Sequence, residues 1–133
     1  MIVVDASVLA NALADDGADG RVAREALRTS NDLAAPDLVD VETVSVLRKR
    51  WLAGTLSDER FASAVGDLED LELDRYPTLP LMRRAFELRA NVTAYDATYV
   101  ALAEALGCEI LTGDGRLAGA PGLRCPVQVL SVR

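Results

Sequence analysis

The apolar run Ile2-Val3-Val4 ends on Asp5, and a second run, Ile110-Leu111-Thr112-Gly113, ends on Asp114. Runs this short and this apolar read as strands hidden on both faces, the habit of a parallel sheet. A carboxylate at the end of such a strand costs stability unless something satisfies it. Three more short strands are expected, at residues 33–35, 73–76 and 127–130, the first stopped by Pro36. Helical segments lie between most of them. The alternation predicts an α/β fold, a three-layer sandwich with a short parallel sheet flanked by helices.

The helix signals follow the same order. Ser7 is expected to cap a helix running to about Asp15. Asp16-Gly17 and Gly20 read as a loop, and Val22, Ala23, Ala26 and Leu27 as one face of a helix ending near Thr29. Asp37 is expected to cap a long helix to Gly54, and Ser57 opens another to about Leu71. A helix is predicted over 81–90, and Thr93 caps one over 94–106 that Gly107 closes. With 133 residues, no repeat and no linker, the chain reads as one domain.

Four acids stand where this arrangement would gather them: Asp5, Glu42, Asp96 and Asp114. Residues at the carboxyl ends of neighbouring parallel strands face one crevice. Four carboxylates there require a counter-charge, and an all-oxygen cluster suits a hard divalent cation, Mg2+ or Mn2+. Each acid also has a plainer reading. Asp5 competes with Ser7 to cap the next helix. Glu42 projects beside Leu38 and Ser45, about 200° away from Asp40 at 100° per residue, yet a solvated helix glutamate is equally consistent with that spacing. Asp96, third after Thr93, occupies the acid position of a capping box. Asp114 precedes Gly115 in an ordinary turn pair. The hydroxyls of Ser7 and Thr112 are expected to orient the carboxylates from behind.

The remaining residues narrow the chemistry. No histidine is present, which removes imidazole as base, nucleophile partner or zinc ligand. Cys108 and Cys125 lack ligand spacing and read as buried thiols of a reducing compartment. Asp5 interrupts any signal-like apolar stretch, and no run of about 18 apolar residues could span a bilayer, so a cytoplasmic location is expected. A net charge of −7 argues against a non-specific nucleic-acid binder but not against a nuclease, whose site itself supplies acid. Arg48-Lys49-Arg50, holding the only lysine, reads as a solvated helix face. Arg116 is the candidate contact to a substrate phosphate. Val44, Leu47 and Trp51 form an apolar stripe, either core or a surface for a second copy or a partner.

Four segments together resemble PIN-domain ribonucleases, and within them the VapC toxins of bacterial toxin–antitoxin pairs. They are Met1 to Leu9, Pro36 through Glu42 to Leu47, Ala94 to Glu104, and Leu111-Thr-Gly-Asp-Gly-Arg-Leu. The resemblance implies a Rossmann-like PIN fold with an active site of Asp5, Glu42, Asp96 and Asp114. It further implies cleavage of RNA dependent on magnesium or manganese, a cognate antitoxin, and a homodimer. Two other readings compete. A receiver-like phosphoacceptor domain would carry a late lysine, and none follows Lys49. A PIN scaffold kept only for binding would have no need of all four acids.

Overall fold

The computed structural model describes residues 1–131. Five strands form one sheet: β1 (Ile2–Val4), β2 (Leu33–Pro36), β3 (Asp74–Tyr76), β4 (Glu109–Thr112) and β5 (Val127–Val129). Their order across the sheet is β3-β2-β1-β4-β5, and every pair is parallel. In β1 all three residues are buried, as a strand covered on both faces requires. Chain order runs outward from β1 through β2 to β3, then returns to β4 on the other side of β1. That reversal opens a crevice at the carboxyl ends of β1 and β4.

The described helices are α1 (Ala6–Ala14), α2 (Ala18–Thr29), α3 (Leu38–Leu52), α4 (Asp58–Asp70), α5 (Met82–Glu87), α6 (Ala94–Leu106) and α7 (Gly115–Ala118). Helix α1 packs on α2, α3 and α4, while α5 packs on α6, giving the sheet its two covering layers. Helix α6 is buried continuously from Ala97 to Ala103 and lies against β1, β2 and β4. Its alanines at 97, 101 and 103 let backbone approach backbone. The main core joins Val3, Val4, Leu9, Val100, Ile110 and Leu111, and large side chains buried this fully contribute roughly 1.5–3 kcal/mol each. Leu47, Ala10, Leu56 and Ala64 make a second cluster between α1, α3 and α4. No described helix is long and apolar enough to cross a membrane.

Several local expectations are corrected. The cap of α1 is Asp5, which accepts from the Val8 amide, and Ser7 lies inside the first turn. Helix α2 begins at Ala18, so Gly20 is helical. A Cβ there would stand 1.7 Å from the Asp15 carbonyl oxygen, and the glycine is needed for that close approach. Asp37 makes no side-chain cap bond; it is already in helical conformation, and its amide donates to Tyr76 O at 2.8 Å. The helix expected over 81–90 is a 3-10 turn, Leu79–Leu81, leading into the shorter α5, because Pro80 occupies the opening turn. Asp114-Gly115 is the start of α7 rather than a plain turn.

Candidate active site

Asp5 leaves the end of β1 with extended backbone and turns into α1, so its carboxylate stands at the crevice while capping the helix. Ser7 Oγ donates to Asp5 Oδ1 at 2.6 Å, and the Thr112 hydroxyl at the end of β4 bonds Asp5 Oδ2. Both hydroxyls also hold the next loop. Ser7 Oγ accepts from Gly113 N at 3.1 Å and Thr112 Oγ1 from Asp114 N at 3.0 Å. Two hydroxyls therefore lock the β1 carboxylate to the β4 turn. Gly113 presses close here, since a Cβ on it would sit 3.1 Å from Ser7 Oγ.

Glu42 comes from the second turn of α3 and accepts from the Tyr99 hydroxyl of α6 at 2.6 Å. Asp96 comes from the first turn of α6, where its amide donates to the capping Thr93 hydroxyl. Asp114 caps α7 and receives the Arg116 guanidinium, Nε to Oδ1 at 3.1 Å and Nη2 to Oδ2 at 3.0 Å. All four acids line one cleft of about 430 Å³. Asp40, on the same helix as Glu42, instead pairs with Arg75 through two bonds of 2.8 and 3.0 Å.

The electrostatics of the cleft are unbalanced. Burial raises the Asp5 carboxyl above its ordinary range, against the opposing pull of Ser7, Thr112 and two backbone amides. Burial also raises Glu42; the Tyr99 bond opposes this, and the nearby charges of Asp96 and Asp5 reinforce it. Asp96 is raised by burial and then by the charges of Asp114 and Asp5. Tyr99 is pushed far up by burial and by Glu42, so it remains a phenol donor. Asp114 alone is lowered, by its bonds to Arg116. Three raised carboxylates beside one another are short of positive charge, and a divalent cation with oxygen preference fits that deficit. Among the described residues no three acidic side chains yet converge on a single ion position. Asp114 is turned onto Arg116.

Sequence reasoning treats Arg48-Lys49-Arg50 as one solvated run; the structure divides it. Lys49 lines the acidic cleft, Arg50 bonds Ala10 O and Asn11 Oδ1 on α1, and Arg48 borders an apolar groove beside Trp51. Helical spacing held the signal, for Lys49 lies seven residues past Glu42 and thus on the same face. Tyr99 is likewise three residues past Asp96. The stripe Val44, Leu47 and Trp51 is also split. Leu47 is fully buried, whereas Trp51 is 42% exposed.

Residues 2–123 match the PIN domain family. The chain belongs to that family. As a PIN domain it is 45% identical over 129 residues to Ribonuclease VapC1 of Mycobacterium tuberculosis, covering 96% of each chain. It is 42% identical over 130 residues to Ribonuclease VapC9 of the same organism, covering 98% of each. Among solved structures, this PIN domain is similar to M. tuberculosis VapC20, described as a sarcin-ricin loop cleaving toxin. The TM-score is 0.71 at 18% identity, over 92% of this chain and 96% of that one. The last likeness concerns the fold alone.

Proposed function

We propose that this PIN domain is a divalent-metal-dependent endoribonuclease and the toxin half of a toxin–antitoxin pair. The observation that carries the reading is one cleft lined by Asp5, Glu42, Asp96 and Asp114, drawn from four elements at the sheet's switch point. Relatives of 42 and 45% identity that bear the name ribonuclease supply the reaction class.

Asp5, Asp96 and Asp114, with Glu42, would hold Mg2+ or Mn2+. Bound there, the metal would supply Lewis acidity to water and to the scissile phosphate. Ser7 and Thr112 keep Asp5 aimed at the cleft, and Tyr99 does the same for Glu42. Arg116, its side chain 92% exposed and paired with Asp114, can turn from that carboxylate toward a substrate phosphate. Water attacks phosphorus in line and the P–O3′ bond breaks. The 3′ oxygen leaves with a proton, and the products carry 5′-phosphate and 3′-hydroxyl ends. No protein nucleophile takes part.

The partner follows from the same surfaces. A cleft of four carboxylates, three of them without a cationic partner among the described residues, suits an arginine of an antitoxin, which would block access and displace the metal together. The groove of Val44, Trp51, Phe61 and Val65 offers apolar contact to such a partner or to a second copy in a homodimer. Leu47 takes no part, being buried. RNA cleavage that requires Mg2+ or Mn2+ and stops in EDTA is the expected outcome. Cleavage persisting in EDTA contradicts the metal chemistry, and absence of cleavage with either metal leaves a scaffold for binding alone.

A further inference from the structure

We propose, resting on the ribonuclease reading, that the acidic cleft is the middle of a longer trough holding one RNA strand. Lys49 and Arg89 contact phosphates on opposite sides of the scissile one, and Tyr95 stacks beneath a base. A second hollow of about 490 Å³ adjoins the cleft, and Asp96 and Asp114 line both. Asp96 and Asp114 thus sit at the waist where the two hollows meet. Lys49 lies in one arm and Arg89 in the other.

Neither cation forms a salt bridge among the described residues, as is also true of Arg21, Arg24, Arg48, Arg50, Arg83 and Arg124. Arg28, Arg60, Arg75, Arg84 and Arg116 each pair with a carboxylate. Arg89 is nevertheless held in place. Its guanidinium lies 4.2 Å from the centroid of the Phe86 ring, and Nη1 donates to Phe86 O at 3.0 Å. A guanidinium fixed by a ring and a carbonyl keeps its other donors for an anion.

The arm that holds Lys49 has an apolar rim above its acidic floor. Tyr95, 64% exposed, stands beside Asp96 on α6, and Val41, 74% exposed, faces the same cleft from α3. An exposed aromatic ring beside a cation-flanked groove is the arrangement by which unpaired bases are bound without sequence preference. A duplex hides the base faces that Tyr95 would need. The acidic floor repels phosphate until metal fills it, so the flanking cations must hold the strand on either side.

The test is fluorescence anisotropy of a labelled 12-nucleotide single-stranded RNA over a series of salt concentrations with Mn2+. Every protein keeps all four acids so that Mn2+ can fill the floor, and the strand is a nuclease-resistant phosphorothioate RNA, which keeps one charge per linkage. Arg89→Gln and Lys49→Gln should each lower the slope of log affinity against log salt by about 0.7, the value of one phosphate contact on a single strand. Arg83→Gln, exposed on α5 outside both hollows, should leave the slope unchanged. Tyr95→Ala should weaken binding about tenfold, and Tyr95→Phe should retain it. Wild-type slopes in both cation variants, wild-type affinity in Tyr95→Ala, or equal affinity for a blunt RNA duplex would overturn the trough. If the unsubstituted protein still cleaves RNA with Mn2+, only the trough is lost. If it does not, the ribonuclease reading falls first and the trough with it.

Discussion

Helix α6 carries two carboxylates eight residues apart that meet opposite fates. Glu104 receives Arg84 Nε at 2.7 Å, Arg84 Nη2 at 3.2 Å and the Arg124 amide at 2.7 Å. Burial alone would raise its carboxyl, but Arg84 and Arg124 outweigh burial and bring it below the ordinary range. Asp96 sits at the other end of the helix among Asp5, Asp114 and Glu42, and burial with its neighbours' charges holds it above that range. The Glu104 clasp joins α6 to α5 and to the loop before β5. In the Asp96 cleft only Asp114 has a cationic partner, Arg116, while Asp5, Glu42 and Asp96 have none among the described residues. Glu104, given a cation, is held below its ordinary range, and Asp96, among like charges, is held above it.

Substitutions separate the two regions. Asp5→Asn is expected to lower RNA cleavage about a thousandfold or more, because several kcal/mol of metal stabilisation would be withdrawn from the reaction. Chromatographic assay of a labelled strand reads this directly. Thr112→Val and Ser7→Ala, which only release Asp5 from its orienting bonds, should reduce the rate about 10- to 100-fold. A larger loss for these than for Asp5→Asn would mean that the hydroxyls, not the carboxylate, meet the reacting atoms.

The clasp should behave in reverse. Glu104→Gln is expected to leave cleavage unchanged and to destabilise the fold by about 1.5–3 kcal/mol in urea at neutral pH, the range for hydrogen bonds to a charged group. The pH dependence sharpens the contrast. The lowered Glu104 carboxyl contributes stability above the ordinary carboxylate range, roughly pH 4, and loses it as pH falls through its depressed value. The raised Asp5 carboxyl has the opposite sign: stability falls as pH rises through its elevated value. In EDTA, Asp5→Asn should therefore gain on the parent protein as pH rises toward neutrality, while Glu104→Gln should lose ground. Parallel pH curves for the two variants would erase the distinction. At the small end, Asp40→Asn breaks a partly exposed pair with Arg75 and should cost no more than about 1 kcal/mol, with cleavage intact.

Much of this contrast is legible in the sequence, and the illegible parts have physical causes. Asp5 and Asp114 stand out because each follows a buried strand, and strand ends fix direction within a residue. The parallel sheet followed from the alternation of short apolar runs with helical segments. Glu42 and Asp96 were ambiguous because a helix surface offers solvent and site at similar spacing. The Tyr99–Glu42 bond spans 57 residues, and no local pattern reports it. The exchange of roles between Asp5 and Ser7 was hidden for another reason: both are good caps, and only packing of Ser7 against Gly113 decides between them.

The proposed function rests on a divalent cation held by the cleft of Asp5, Glu42, Asp96 and Asp114. Thermal unfolding with increasing Mn2+ tests it most directly, because a ligand bound only by the folded state adds about 2.7 kcal/mol at 100 times its dissociation constant. The unsubstituted protein and Glu104→Gln should both gain stability with Mn2+ to the same extent, and Asp5→Asn and Asp96→Asn should gain little or none. Equal gains in all four proteins, or none in the unsubstituted protein, would contradict the account.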